Sequence, residues 1–288
     1  MAVDDTWTVL KVLRWTQARF AERGLSSPRL DAELLLARVL GRDRVSLYTH
    51  FDQPLGKEEL AGYRELIRRR LAGEPVAYLV GRKEFWSLSF AVDERVLIPR
   101  PETEHLVEAV LAALKGRVGP RVADIGTGSG AVAVALAHDR PDAEVIAVDL
   151  SPAALEVARH NAAAHDVEVE FLEGDLVAPL AARGPFFAIA SNPPYIREDE
   201  MAGLPAEVRR EPRSALVAGP DGLALLRRLV EGALPLLQPD GLLALEVGSG
   251  QAEAVVGLMR AGGYAGIERH KDLGGIERVV VGRRPSGG

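Results

Sequence analysis

From residue 121 onward, apolar β-prone runs take turns with helical segments, and near the C-terminus that alternation stops. Arg121–Ile125, Glu144–Leu150, Val167–Leu172, Phe186–Ser191 and Gly241–Val247 read as strands, and Gly130–His138, Pro152–Ala164 and Leu223–Leu236 read as helices between them. Strands joined by crossover helices run parallel, so this stretch predicts a doubly wound α/β sheet. Ile267–His270 and Glu277–Val281 then follow with only a turn between them. A connection that short forces an antiparallel pair. Five parallel strands closed by two antiparallel ones is a narrow specification, and it leaves few folds to choose from.

The first eighty residues have no such alternation. Trp7, Leu10, Leu13 and Phe20 recur near helical spacing up to Gly24, and Ser27-Pro28 reads as a cap followed by proline at the first helical position. Leu34–Leu36, Val39 and Leu40 carry that second helix to Gly41, and a third runs from Lys57 to Leu71 with Gly73 as its stop. Phe85–Phe90 and Val92–Ile98 read as a strand pair. The chain of 288 residues therefore divides into a helical bundle at 1–80, a β-hairpin linker at 81–98 and an α/β domain at 99–288. Arg68-Arg69-Arg70 reads as a solvated helix face, and Glu102 and Glu104 as acids in the first turn of a helix.

Composition removes several chemistries. There is no cysteine, hence no disulfide, thiolate metal site, iron–sulfur cluster or cysteine nucleophile. The six histidines show no metal-ligand spacing, so no metal is expected. The N-terminus lacks the basic leader and apolar run of a secretory signal, and no apolar stretch approaches the roughly 20 residues of a membrane span. A cytoplasmic protein is expected. Residues 1–80 hold 13 basic and 11 acidic side chains, leaving 22 and 30 for the remainder, so the net charge of −6 is concentrated in the α/β half. That balance argues against direct nucleic-acid binding.

Gly126-Thr127-Gly128-Ser129-Gly130 leaves the first parallel strand and opens a helix. Glycines there let backbone approach a ligand closely, and the amides of the helix start favour an anion. Asp149 ends the second strand, where an acid can hydrogen-bond both hydroxyls of a ribose. The spacing departs from the dinucleotide fingerprint, yet Ala131 can substitute for its last glycine, so the loop alone leaves a dinucleotide oxidoreductase open.

Asn192-Pro193-Pro194-Tyr195 follows the fourth strand. Two prolines lack N–H donors and have fixed φ, so the segment is rigid and offers carbonyl oxygens. Asn192 precedes proline and is held out of the helical region, free to project its amide. Such acceptors suit a planar NH2 group: the Asn192 side-chain oxygen and the Pro193 carbonyl can hold both its hydrogens. They would stabilise a nitrogen that grows tetrahedral as it attacks. Tyr195 can stack on the flat group and hold it in line with a methyl donor.

Taken together, the glycine loop, Asp149 and Asn192–Tyr195 resemble an S-adenosylmethionine-dependent N-methyltransferase, and the strand pattern resembles the class I methyltransferase sheet of seven mostly parallel strands. Amino-adenine DNA methyltransferases share the Asn-Pro-Pro-aromatic motif. Gly73–Tyr78, Ile98–Glu104, Glu211–Leu216, Glu246-Val247-Gly248 with Gln251, and Asp272-Leu273 with Arg278 are similar to the release factor glutamine methyltransferase family. The resemblance spans both domains. It implies N5-methylation of the glutamine in the Gly-Gly-Gln loop of peptide chain release factors 1 and 2, with S-adenosylhomocysteine as the other product. It also implies that Gly126–Gly130 and Asp149 hold the cofactor, with Asp175 and Leu176 beside its adenine and Asn192 at its methyl end. Asn192–Tyr195 would hold the glutamine, the helical bundle would dock the release factor body, and Glu211 would brace the catalytic loop. A glutamine methyltransferase of a large-subunit ribosomal protein and an amino-adenine N6-methyltransferase stand as alternatives.

Overall fold

The computed structural model describes residues 6–287. The chain divides into two compact units. One takes the chain up to Gly81 together with Pro205–Arg210, and the other takes Arg82–Leu204 and the chain from Glu211 onward.

Among the described residues, the α-helices of the first unit are α1 (Val9–Glu22), α2 (Pro28–Leu40), α3 (Arg44–Thr49), α4 (Lys57–Leu71) and α5 (Val76–Val80). Their apolar faces enclose Val9, Phe20, Leu35, Leu36, Leu47 and Tyr63, and the Tyr63 hydroxyl donates to the Ala32 carbonyl at 3.0 Å. Helix α2 ends at Gly41, whose φ of 62° is the left-handed conformation that glycine adopts without strain. Ser27 occupies the position before α2 without a side-chain cap, so Pro28 alone provides the start signal. Helices α3 and α5 were not expected: at six and five residues they are too short to show a full helical period.

The arginine triplet is not a solvated face throughout. Arg68 and Arg69 point outward, but Arg70 is buried and donates to Asp31 at 2.7 Å. Its second partner is Glu207, at 2.6 Å, in the Pro205–Arg210 segment that clusters with the helices. A side chain at Gly73 would meet Ala206 at 3.2 Å, so a φ of +88° and close packing both require glycine there.

The second unit opens with a hairpin, β1 (Arg82–Phe85) and β2 (Leu88–Ala91). Its two-residue turn, Trp86-Ser87, has positive φ at both positions, the geometry that matches strand twist but is normally written with Asn or Gly. Trp86 is pinned by its backbone N–H to Glu104 and its indole N–H to Asp139. Val92–Ile98 is not a strand. It turns at Asp93–Val96, where the Val96 amide donates to the Asp93 carbonyl at 3.1 Å, and buries Val92, Val96 and Ile98 on either side.

The main sheet then forms from β3 (Arg121–Ile125), β4 (Glu144–Asp149), β5 (Glu170–Glu173), β6 (Phe186–Ser191), β7 (Leu237–Glu246), β8 (Ala265–Lys271) and β9 (Glu277–Arg283). Its order is β5-β4-β3-β6-β7-β9-β8. The first five strands of that order are parallel, and β9 runs antiparallel to both β7 and β8. Helices α6 (Glu104–Ala113), α7 (Ala131–Asp139), α8 (Pro152–Ala164), α9 (Ala224–Ala233) and α10 (Ala252–Ala261) cover the faces. Every residue of β6 is buried, because a central strand covered on both faces has no solvent side. Ile125, Ile146, Ile189 and Leu243 pack toward α9 and α10, whereas Val122, Phe187 and Ala244 pack toward α6 and α7. The strand order reverses at β3, with β4 on one side and β6 on the other, and the crevice beyond that point is where open sheets bind ligands.

Candidate active site

Four strands bring their carboxyl ends to this crevice: β3 at Ile125, β4 at Asp149, β6 at Ser191 and β7 at Glu246. The Ser191 hydroxyl donates to the Ile125 carbonyl at 2.7 Å, which locks the segment carrying Asn192 to the root of the glycine loop.

The loop residues have divided tasks. Gly126 and Gly128 lie at φ of 71° and 55°, and a Cβ on either would meet nothing within 4 Å, so both present bare backbone to open space. Gly130 differs: a Cβ there would meet Ala158 of α8 at 3.1 Å, so this glycine serves helix packing. The Thr127 side chain is buried and donates to Asp124 at 2.6 Å. Ser129 is also buried, and its carbonyl accepts from Asn161 at 2.8 Å. Among the loop residues named from the sequence, then, 126 and 128 face outward, while the 127 and 129 side chains turn in.

Asp149 accepts the Gly128 amide at 2.8 Å with one carboxylate oxygen and the Ser151 amide at 2.9 Å with the other. Beneath the loop, Asp124 is fully enclosed. Burial pushes its carboxyl up to about 7, against the pull of Thr127 and the Ala133 amide. Asp175 and Leu176 follow β5, which is tied to β4 through the Gly174 amide and the Asp149 carbonyl. The Asp175 carboxylate pairs with Arg228 at 2.6 Å on an exposed surface. Leu176 has a φ of 51°, unusual for a branched side chain, and packs against the core facing α9 and α10.

At the end of β6, Asn192 donates through Nδ2 to the Thr103 hydroxyl at 3.0 Å, Pro193 is buried, and Tyr195 is half-buried. The segment beyond is stitched in place by Ile196 to the Leu216 carbonyl and Ala218 to the Ile196 carbonyl. Gln251 donates to the Tyr195 carbonyl at 3.0 Å and accepts the Gly248 amide at 2.9 Å. A Cβ on Gly248 would come within 3.0 Å of the Tyr195 ring, so that ring sits directly on the backbone beyond β7. Burial raises the Tyr195 hydroxyl to about 12, with the Glu246 charge adding to the shift, so it stays protonated at neutral pH. Glu211 directs its hydrogen bonds away from Asn192–Tyr195. It is buried and takes the Ile98 amide at 3.0 Å and the Arg100 guanidinium, bracing the segment that leads to Thr103. Glu104 likewise has a partner, the Trp86 amide.

Comparison with known proteins supplies the family. Residues 11–81 match the family model described as the PrmC N-terminal domain, and residues 103–219 match the methyltransferase small domain. A release factor glutamine methyltransferase of Rhodopirellula baltica is 46% identical, covering 96% of each chain, and one from Geobacter sulfurreducens is 45% identical, covering 97% of this chain and 98% of its own. The chain belongs to the release factor glutamine methyltransferase family. Its fold is shared with solved methyltransferases of low sequence identity. A Pyrococcus furiosus methyltransferase is 20% identical with a TM-score of 0.52, covering 76% of this chain and 97% of its own. A Thermus thermophilus 16S rRNA methyltransferase solved with AdoMet and guanosine is 20% identical with a TM-score of 0.53, covering 70% and 49%. The class I sheet with an added helical unit is therefore the architecture of a member of this family.

Two groups at the site of this family member carry no sequence signal of their role. Thr103, on the turn before α6, lies in a segment similar to the family and meets Asn192, and the buried Glu246 ends the strand beside it, but spacing along the chain shows neither placement.

Proposed function

We propose that this family member transfers a methyl group from S-adenosylmethionine to the side-chain amide nitrogen of the glutamine in the Gly-Gly-Gln motif of release factors 1 and 2, in the cytoplasm. The observation that carries the reading is the convergence, on one sheet edge, of an open glycine cradle beside an acid and of a proline-stiffened acceptor loop. The cradle fits the cofactor: the bare backbone of Gly126 and Gly128 would take its amino-acid end, and Asp149 has acceptor capacity left for ribose hydroxyls. Asp175 and Leu176 would border the adenine, Leu176 by apolar packing. When bound, S-adenosylmethionine supplies an electrophilic methyl on a sulfonium and leaves as S-adenosylhomocysteine.

The chain's own residues would do the rest. The Asn192 Oδ1 and the Pro193 carbonyl accept the two hydrogens of the substrate amide, whose delocalised lone pair makes it a poor nucleophile. As the nitrogen takes on positive charge, these fixed acceptors strengthen their hold without reorganising. Pro194 keeps the segment rigid, and the Tyr195 ring stacks on the amide plane and excludes water. Tyr195 stays protonated and is no base; the proton leaves the methylated amide for solvent. The helical unit would take the body of the release factor.

Mass spectrometry of release factors 1 and 2 incubated with protein and S-adenosylmethionine tests this. One methyl group on the Gly-Gly-Gln glutamine is the expected result. An unmodified release factor beside a methylated ribosomal protein or adenine would overturn it.

A further inference from the structure

Gln251 stands at the entry to α10, a position where Ser, Thr, Asp or Asn would cap the helix, yet its side chain makes no cap bond to α10. It directs its amide elsewhere. Oε1 accepts the Gly248 amide at 2.9 Å, and Nε2 donates to the Tyr195 carbonyl at 3.0 Å and the Gly222 carbonyl at 3.4 Å. With an N–H facing its oxygen and two carbonyls facing its NH2, the orientation of this amide is fixed. The three partners belong to three loops: Tyr195 follows β6, Gly222 precedes α9 and Gly248 follows β7. Those loops close on one another without side chains between them. A Cβ on Gly222 would lie 2.4 Å from the Tyr195 carbonyl oxygen and 2.7 Å from Gln251 Nε2. A Cβ on Gly248 would lie 2.9 Å from Gln251 Oε1 and 3.0 Å from the Tyr195 ring.

Pro193 and Pro194 fix their own φ, but Tyr195 lies past the last proline and gains no stiffness from it. Its placement has to come from outside the motif. We propose that Gln251 is the positioning residue for Tyr195: it holds the Tyr195 carbonyl while Gly248 seats the ring, so the ring has one placement against the substrate amide. This rests on the reading of Tyr195 as the residue that stacks on that amide. Without the Gln251 amide, two carbonyls and one N–H lose their partner and the ring loses its fixed seat.

The test measures kcat, KM for the release factor and S-adenosylhomocysteine affinity in Gln251→Ala, Gln251→Glu, Tyr195→Ala and the Gln251→Ala/Tyr195→Ala double variant. Protein labelled with 3-fluorotyrosine adds a local reporter, the 19F lines of Tyr195 and Tyr264 being assigned by Tyr195→Phe and Tyr264→Phe. Gln251→Ala is expected to lower kcat tenfold or more with cofactor affinity within twofold of wild type. It should shift the Tyr195 line and leave that of Tyr264, whose hydroxyl donates to the Val230 carbonyl in the same unit, in place. Gln251→Glu keeps the shape but turns an oxygen toward two carbonyls, so at pH 8 it is expected to be no faster than Gln251→Ala. The double variant is expected to be within twofold of Tyr195→Ala, since both changes remove the same placed ring. Should Gln251→Ala not fold, Gln251→Met gives the same cycle. Losses that multiply, a Tyr195 line that does not move, or Gln251→Glu at the wild-type rate would overturn the proposal. A slow Tyr195→Ala beside an unaffected Gln251→Ala overturns the positioning role alone. Full turnover in Tyr195→Ala would instead bring down the stacking reading, and the proposal with it.

Discussion

Asp149 accepts the backbone amide of Gly128 at 2.8 Å, so the acid that ends β4 holds the loop that leaves β3. One side chain thus orders the glycine cradle and, in the function proposed, would also take the ribose hydroxyls. Replacing it should damage binding twice over. Asp149→Ala is expected to weaken S-adenosylhomocysteine at least tenfold by calorimetry. Retained affinity would show that the cradle organises itself.

The glycines of the loop separate by what surrounds them. Gly130→Ala forces a Cβ against Ala158 at 3.1 Å from a φ of +81°. Left-handed backbone and overpacking together should cost about 2–4 kcal/mol in urea unfolding. Gly128→Ala meets open space, so only the left-handed backbone is penalised, about 1–2 kcal/mol. The same methyl intrudes where ligand would lie, so Gly128→Ala should lose more cofactor affinity per unit of stability than Gly130→Ala.

Asn192→Ala removes the proposed acceptor without touching the cradle. The expected outcome is a fall in kcat of about a hundredfold or more, with S-adenosylhomocysteine affinity within a few-fold of wild type. Single-turnover methylation followed by mass spectrometry measures it.

Burial raises Asp124 to about 7, against an unfolded value near its ordinary 3.8. Between these limits the folded state holds a proton that the unfolded state has released, so this group's contribution to stability falls as pH rises from about 4 to 7 and then levels. Glu246, also raised to about 7 by burial, adds a slope of the same sign. Asp124→Asn should flatten the decline in unfolding free energy measured by urea titration between pH 5 and 8. An unchanged slope would show that the carboxyl is ionised in the fold.

Arg70 joins Asp31 to Glu207 inside the helical unit. Arg70→Met leaves two buried or half-buried carboxylates without their cation and should cost about 3–5 kcal/mol. Hydrogen exchange should show lost protection at residues 205–210 before the α2–α4 core opens.

Much of this was legible in the sequence because it is local. The β6 strand, the loop from Gly126, the prolines at 193 and 194 and the two closing strands each follow from spacing and residue type. What was illegible is of two kinds. The turn at Trp86-Ser87 uses residues that carry no turn signal and is held by Glu104 and Asp139 from elsewhere in the chain. Val92–Ile98 is apolar enough to read as a strand, yet it turns at Asp93–Val96 and its Val92, Val96 and Ile98 are anchors in the core. Arg70 sits in a run of arginines whose other members are exposed, and only the fold tells it apart. At the site, Asn192 was readable from its prolines, whereas Thr103 lies 89 positions away, on the turn before α6, and only the fold brings it there.

The placement of Pro205–Arg210 among the helices has a consequence for inheritance. The backbone passes from one unit to the other three times, at 81, 204 and 210. A cassette joined by one crossing can be cut off, exchanged or borrowed by another enzyme. This one is sewn in: a truncation at residue 81 leaves six residues stripped of the surface they fold on and Glu207 without Arg70. A gene rearrangement that moved residues 1–81 alone would leave behind a piece of the helical unit, so the two units are tied together in the chain by more than a linker.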